Sequence, residues 1–152
     1  MPLLSDKIAS QVRDVFNANL QQPVELLYFG RQQDCDYCDD NRQLLEEVTA
    51  LHPTLHLITY DLDANADVAR QYGIADAPAT VIAARDEAQD GTASVHDYGI
   101  RLLGIPSGHE FGTLIQDLIV VSGRDSGLEP ATRAFLSNLQ KPIHLQVFVT
   151  PT

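Results

Sequence analysis

The chain has 152 residues, of which 44% are hydrophobic, and a formal net charge of −11. This length suits one domain with a real core, and the negative charge argues against nucleic acid, whose phosphates it would repel. No apolar run approaches the roughly 18 residues of a membrane span, and the N-terminus lacks the pattern of a signal peptide. The composition therefore predicts a cytoplasmic globular protein.

Hydrophobic spacing predicts helices and strands that alternate along the first half of the chain. A helix over residues 5–20, with Ser5 as its N-cap, is followed by a buried strand over Val24–Phe29. A second helical stripe follows and ends near Pro53. The β-branched, apolar run Leu55–Tyr60 then predicts a second strand.

The second half of the chain predicts a hairpin and a last helix. Residues 63–72 indicate a short helix, and strands over residues 80–83 and 94–103 enclose a turn-rich segment at 85–92. A helical stripe follows Pro106. The order αβαβαββα predicts an α/β fold, a mixed sheet with helices on both faces, whose first two strands are parallel and whose last two form an antiparallel hairpin.

The only two cysteines, Cys35 and Cys38, form one Cys-x-x-Cys motif between a predicted strand and a predicted helix. A thiol at a helix start faces unpaired N–H groups and the positive end of the helix dipole, which favour the thiolate. We therefore expect Cys35 to attack a partner disulfide and Cys38 to resolve the mixed disulfide. The reverse reaction oxidises a dithiol.

Two other interpretations of the motif stay open. Cys-x-x-Cys can supply half of a tetrahedral zinc site, but the sequence has no second such pair. The remaining candidate ligands are the five histidines, His52, His56, His96, His109 and His144. A purely structural disulfide across four residues closes almost no loop and stabilises little. We therefore favour disulfide exchange, with no metal site.

Carboxylates surround the motif, with Arg31 and Arg42 as the nearby positive charges. These carboxylates are Asp34, Asp36, Asp39 and Asp40. They oppose thiolate formation, although acidic residues also suit a helix N-terminus. We expect the Cys35 thiol to be less acidic than in motifs with basic neighbours, which makes the disulfide stable and biases the protein toward reduction.

Two further segments are candidates for the surroundings of the site. Glu46 and Glu47 lie on the helix after the cysteines, where a carboxylate can relay protons, although a solvated helix face is the simpler interpretation. Gly104, Gly108 and Gly112 are expected to shape the turn into the last helix, and the segment Gly104–Pro106 is expected to border the active site.

The order βαβ, the Cys-x-x-Cys motif at the second helix and Ala77-Pro78 before a hairpin resemble the thioredoxin fold. In that family the proline that faces the cysteines is cis, and the backbone beside it pairs with the bound partner. The resemblance implies that Pro78 is this cis-proline and that Ala77 and Tyr37 contact the substrate. The other interpretation is a trans proline that starts an edge strand.

The end of the chain repeats its beginning. A shift of 119 residues aligns residues 16–29 with 135–148 and gives six identities in fourteen positions, where composition alone gives about one. We therefore predict a redox unit over residues 1–122, a linker over 123–127, and the opening helix and strand of a truncated second unit over 128–152.

The strand predicted at 143–149 lacks the rest of its own sheet. Unpaired apolar strands seek an edge to pair with. We expect this strand to pair either with the first unit or with another copy of the chain, which would produce a dimer.

A tandem pair of such units is similar to the glutaredoxin-like protein disulfide oxidoreductases of bacteria and archaea. The segments Tyr98–Gly112 and Lys141–Thr152 carry the resemblance most specifically. It implies exchange with protein disulfide or dithiol substrates, electrons from a thioredoxin-reductase-like flavoprotein, and no bound cofactor. A peroxiredoxin is a further candidate partner. The alternative is the tandem N-terminal domain of the flavoprotein that reduces peroxiredoxin, an electron-relay module whose first unit lacks these cysteines.

Overall fold

A four-stranded mixed sheet forms the centre of the molecule in the computed structural model, which describes residues 1–149. The strands are β1 (Val24–Gly30), β2 (Leu55–Asp61), β3 (Ala79–Glu87) and β4 (Ala93–Leu103). They lie in the order β2-β1-β3-β4. β1 and β2 are parallel, and β3 is antiparallel to both β1 and β4. The predicted parallel pair and the antiparallel hairpin are therefore confirmed.

Helices precede, connect and follow these strands. In the described residues they are α1 (Asp6–Asn19), α2 (Cys38–Thr49), α3 (Ala66–Gln71), α4 (His109–Gly123) and α5 (Pro130–Ser137). The element order up to α4 is the predicted one. Across residues 1–149, no helix has the length and apolar character that a membrane crossing requires.

Helices cover both faces of the sheet, because alternate residues of β1 point to opposite sides. On one face, Phe16 of α1, Leu45 of α2 and Leu118 of α4 belong to one buried cluster with β1. On the other face, Leu27 and Phe29 pack with α3. All of β1 is buried, which explains why its sequence is almost continuously apolar.

Local signals fix the ends of two helices. The Ser5 hydroxyl accepts a hydrogen bond from the N–H of Ile8 at 3.4 Å, which confirms the predicted N-cap of α1. α3 ends at Gln71, and Gly73 shortly after it has a φ of +68°, which is unfavourable for residues with a side chain. The N–H of Ile74 then donates to the carbonyl of Ala69 at 2.8 Å, which turns the chain toward β3.

The hairpin turn is shorter than predicted, because residues 85–87 belong to β3 and not to the turn. They pair with residues 93–95 of β4. The Arg85 side chain forms ion pairs with Glu87 and with Glu25, a β1 residue that is only 1% exposed. These contacts hold a polar segment in the sheet, where composition alone predicted a turn.

The segment after α4 exposes apolar side chains. α5 contains no buried residue, and Phe135 on it is 62% exposed. Residues 139–149 form neither helix nor strand. The segment 143–149 is not a strand here, because a strand needs a neighbour and this segment pairs with none within residues 1–149. The rest of the predicted second unit, residues 150–152, lies outside the described residues.

Candidate active site

The two cysteines lie between the end of β1 and the start of α2 and form a closed disulfide, with their Cα atoms 5.5 Å apart. α2 begins at Cys38, later than a helix start at Cys35. Tyr37 has non-helical backbone angles, and its carbonyl accepts the hydrogen bond of the N–H of Asn41 at 2.9 Å. Cys35 therefore lies in the turn that precedes the helix. The disulfide bond to Cys38 connects it to the first residue of α2.

The two sulfurs differ in exposure. Cys38 is only 4% exposed, whereas Cys35 is partly exposed. The backbone N–H of Arg31 donates to the Sγ of Cys38 at 3.2 Å. This arrangement leaves Cys35 as the sulfur that a partner can reach and holds Cys38 behind it.

Tyr28 of β1 contacts the first residue of α2 from the side of the sheet. Its hydroxyl donates a hydrogen bond to the carbonyl oxygen of Cys38 at 2.6 Å, and the residue is 3% exposed. Burial raises the pKa of the Tyr28 phenol to about 12. The ring lies over Gly30, where an added Cβ would come within 2.5–2.9 Å of the phenol. Only glycine at position 30 leaves this space to the ring.

The peptide bond between Ala77 and Pro78 is cis. Pro78 precedes β3, whose first residue, Ala79, pairs with Phe29 near the end of β1. The carbonyl of Pro78 accepts the N–H of Gly104 at 2.8 Å. The loop that contains Ala77 and Pro78 therefore lies beside the end of the strand from which the cysteine loop begins.

Asn41 is a buried polar residue that joins α2 to the loop after β4. Its side-chain amide donates to the carbonyl of Gly104 at 3.1 Å, while its Oδ1 has no hydrogen-bond partner among residues 1–149 and the residue is fully buried. The contact brings the segment Gly104–Pro106 next to both α2 and the loop of Pro78. A polar residue within an apolar helical stripe was the sequence signal that could have revealed it.

The positive charges near the disulfide are already engaged. Arg31 forms ion pairs with Asp63 at 3.3 Å and with Asp76 at 3.0 Å, which joins three loops at this end of the sheet. Arg42 pairs with Asp39 at 3.1 Å. Exposed pairs of this kind contribute little stability.

Three carboxylates near the disulfide remain without a salt bridge. Among residues 1–149, Asp34, Asp36 and Asp40 form no ion pair, and all three are exposed. Asp34, directly before Cys35, has a left-handed φ of 54°, which aspartate tolerates better than most residues. The surface around Cys35 is therefore negatively charged.

A groove of about 310 Å³ opens beside the disulfide. Its lining includes both cysteines, Tyr28, Arg42 and residues 59–61 of β2. Because β2 and β3 flank β1 on opposite sides, this groove lies on the side away from Pro78. The groove and the loop of Pro78 therefore lie on opposite sides of the end of β1.

The remaining candidate residues have different positions. Tyr37 lies between the cysteines and is 59% exposed, and Glu46 is also exposed. Glu47 accepts hydrogen bonds from the N–H groups of Leu3 and Leu4 at 2.8–3.0 Å, so it ties the N-terminus to α2. Although desolvation opposes the effect, these donors lower the pKa of Glu47. The side chain is thus engaged in a structural contact.

Metal ligands are not clustered in the described residues. No group of three or more histidine, cysteine, aspartate or glutamate side chains within residues 1–149 could hold a metal ion. The five histidines proposed as partners for a zinc site lie in this range, and both cysteine sulfurs are joined to each other.

The backbone is similar to that of a protein disulfide oxidoreductase from Aeropyrum pernix, with a TM-score of 0.74. The two sequences are 24% identical, over 89% of this chain and 55% of that chain. The fold is thioredoxin-like. The expected fold class is thereby confirmed.

Two other solved structures are similar, both of the alkylhydroperoxide reductase AhpF from Enterococcus faecalis. The first has a TM-score of 0.72 and 26% identity over 91% of this chain and 62% of that one. The second, the NTD_N/C domain of AhpF, has a TM-score of 0.69 and 26% identity over 86% and 58%. The chain thus spans little more than half the length of these proteins. No protein-family model and no curated protein matches it.

Substituting Gly30 tests the contact between its backbone and the Tyr28 ring. We expect Gly30→Ala to lower the free energy of unfolding by about 1–3 kcal/mol, because the new methyl group overlaps the phenol. Urea unfolding measures the change. The control is Gly112→Ala in α4, where an added Cβ meets nothing within 4 Å and should stabilise the helix by up to about 1 kcal/mol. Equal effects of the two substitutions would contradict the steric explanation.

Proposed function

We propose that this chain is a thiol–disulfide oxidoreductase that exchanges disulfides with protein substrates through Cys35 and Cys38. The observation that carries the proposal is the pair of unequal sulfurs at the start of α2, one accessible and one buried, on a thioredoxin-like fold. Exchange needs this inequality, because the outer sulfur must meet the partner while the inner one waits to resolve the intermediate.

The reaction starts from the reduced pair. The Cys35 thiolate attacks one sulfur of the partner disulfide, and the other partner sulfur leaves with the bonding electron pair and takes up a proton. The Cys38 thiolate then attacks the Cys35 sulfur of the mixed disulfide. The Cys35–Cys38 bond forms, the second partner sulfur leaves as a thiolate, and two electrons have passed to the partner.

The loop of Pro78 is the proposed binding surface for the extended backbone of the partner. It lies beside the end of β1, on the side of the disulfide away from the groove. We assign Ala77 the backbone contact with the partner, and the exposed ring of Tyr37 a contact with partner residues next to the reacting sulfur. We propose the cytoplasm as the compartment, and a thioredoxin-reductase-like flavoprotein as the electron donor that restores the dithiol.

Replacing each cysteine separately tests the assignment of the two roles. We expect reduced Cys38→Ser to accumulate a stable mixed disulfide with insulin as a probe, because the nucleophile is kept and the resolving thiol is lost. Reduced Cys35→Ser is the matched control and should trap no more than a few per cent as much. Non-reducing gels and intact mass measure the adducts. Equal trapping by the two variants would contradict the assignment.

A redox titration of the parent chain, read by alkylation and mass, separates exchange from zinc binding. A reversible two-electron couple between roughly −330 and −180 mV supports exchange. Stoichiometric zinc without such a couple would instead support a metal site.

The carboxylates around Cys35 carry the proposed bias toward reduction. We expect Asp34→Asn combined with Asp36→Asn to raise the reduction potential by on the order of 10–30 mV, because the reduced state loses its repulsion between thiolate and carboxylates. Equilibration with glutathione measures the potential. Asp14→Asn combined with Asp90→Asn, in α1 and in the β3–β4 turn, changes the net charge equally away from the disulfide. An equal rise in both double variants, or none, would contradict the bias.

A second candidate function is that of an electron-relay module in a system that reduces a peroxiredoxin. The similarity to AhpF from Enterococcus faecalis over 91% of this chain favours it. An oxidised peroxiredoxin distinguishes the two functions. Reduction of peroxiredoxin at least 100-fold faster than reduction of insulin would favour the relay, and similar rates would favour general exchange.

We also propose that residues 1–122 are the redox unit, that 123–127 are a linker and that 128–152 begin a second unit. The internal repeat and the exposed apolar side chains of α5 and residues 143–149 support this division. We expect brief trypsin digestion to cleave at Arg133 before any site in residues 1–122, since α5, which carries Arg133, contains no buried residue. Intact mass identifies the cuts. First cleavage within residues 1–122 would contradict the division.

A further inference from the structure

Cys38 is held by two groups that come from the end of β1. The Tyr28 hydroxyl donates to its carbonyl oxygen at 2.6 Å, and the N–H of Arg31 donates to its sulfur at 3.2 Å. Neither donor belongs to the cysteine loop, since Tyr28 lies in β1 and Arg31 directly follows this strand. Of the two, Tyr28 acts through a side chain, so that it can be removed without changing the backbone.

The orientation of the Tyr28 ring is set by the strand itself. The ring bends along β1 over Gly30, and this path is open only because position 30 has no Cβ. Without that space the hydroxyl could not reach the first turn of α2 in the same geometry. Gly30 thus allows the Tyr28 ring the position from which its hydroxyl bonds the backbone of Cys38.

The Tyr28 hydroxyl remains a donor throughout the range in which thiols react. Burial raises the pKa of the phenol to about 12, so it keeps its proton at any pH at which the exchange runs. For the same reason it does not take a proton from Cys38. Its contribution is geometric.

The step that needs this geometry is the second one. In the mixed disulfide the covalent bond between the two cysteines is absent, and the Cys38 sulfur must stay in line with the Cys35 sulfur to attack it. Intramolecular reactions depend steeply on such alignment. Attack of Cys35 on the partner, in contrast, does not involve Cys38.

We propose that Tyr28 is a positioning residue for the resolving cysteine, which accelerates the closure of the Cys35–Cys38 disulfide by holding the carbonyl of Cys38. The proposal rests on the proposed exchange function and goes beyond it, since it assigns a residue outside the Cys-x-x-Cys motif to one of its two steps. In that step the Cys38–Cys35 bond forms, the bond from Cys35 to the partner breaks, and the partner leaves as a thiolate.

The test uses the reduced full chain and 2,2′-dithiodipyridine, which releases one coloured thiopyridone in each step. The first release is second order and reports Cys35, while the second is independent of probe concentration and reports Cys38. We expect Tyr28→Phe to slow the second release about 5- to 10-fold, which corresponds to the loss of one buried hydrogen bond. The rate of the first release should stay within about twofold of that of the parent chain. Stopped-flow absorbance measures both.

Tyr72→Phe is the matched control, because Tyr72 is a half-buried tyrosine that packs against Phe29 and not against α2. It should change neither release. Gly30→Ala keeps the hydroxyl but displaces the ring, so it should reproduce the selective slowing. This variant also decides the question if Tyr28→Phe does not fold.

The reduction potential gives a readout that a general loss of stability would not move. A tenfold weaker tendency to close the disulfide raises the potential by about 30 mV, and we expect a rise of up to that size for Tyr28→Phe. An unchanged second release, or equal slowing of both releases, would overturn the inference and leave the proposed function standing. A parent chain that releases no second thiopyridone would overturn the exchange function and the inference together.

Discussion

The complete burial of β1 is the constraint on which the rest of the structure depends. It lies between β2 and β3, and helices cover both of its faces. Burying each large apolar side chain on this strand stabilises the fold by about 1.5–3 kcal/mol, so its carboxyl end is a fixed point. The cysteine loop begins there, the loop of Pro78 is paired to it through Ala79, and Arg31 connects it to the loops before and after α3.

The two sulfurs have unequal surroundings because they lie at different distances along the chain from the carboxyl end of β1. Cys38 begins a helix that packs onto the sheet, and it therefore lies within reach of Tyr28 in β1 and of Arg31 directly after it. Cys35 lies one turn earlier, in a loop with exposed aspartates on both sides. The division between an accessible sulfur and a buried one, on which the proposed exchange depends, thus results from the position of the helix start between the two residues.

Periodicity and turn residues were enough to predict the element order, because each element buries one side in a regular pattern. The Cys-x-x-Cys motif and the Ala77–Pro78 pair could also be found, because each is contiguous in the sequence. The contacts of Tyr28 and Asn41 could not, because they join residues through the packed fold. In the sequence Tyr28 is one more aromatic residue in an apolar strand, and its hydroxyl finds a partner only once α2 begins at Cys38.

The sequence also did not predict the first residue of α2 or the length of the hairpin turn. The turn at residues 36–37 delays α2, and nothing in the aspartate-rich composition of this segment separates a first helical turn from the turn before it. Arg85 looked like a turn residue because its partner, Glu25, lies 60 residues earlier. Long-range ion pairs of this kind have no local sequence pattern.

That ion pair has a consequence for how the sheet assembles. Glu25 is 1% exposed and points to the same face of β1 as Leu27 and Phe29. A shift of β1 by one residue against β3 would turn this carboxylate away from Arg85 and into the apolar cluster under α1, α2 and α4, at a large cost in free energy. The Glu25–Arg85 pair therefore disfavours misaligned pairings of β1 with β3. A charged side chain thus helps to determine the alignment of a strand that is otherwise almost entirely apolar.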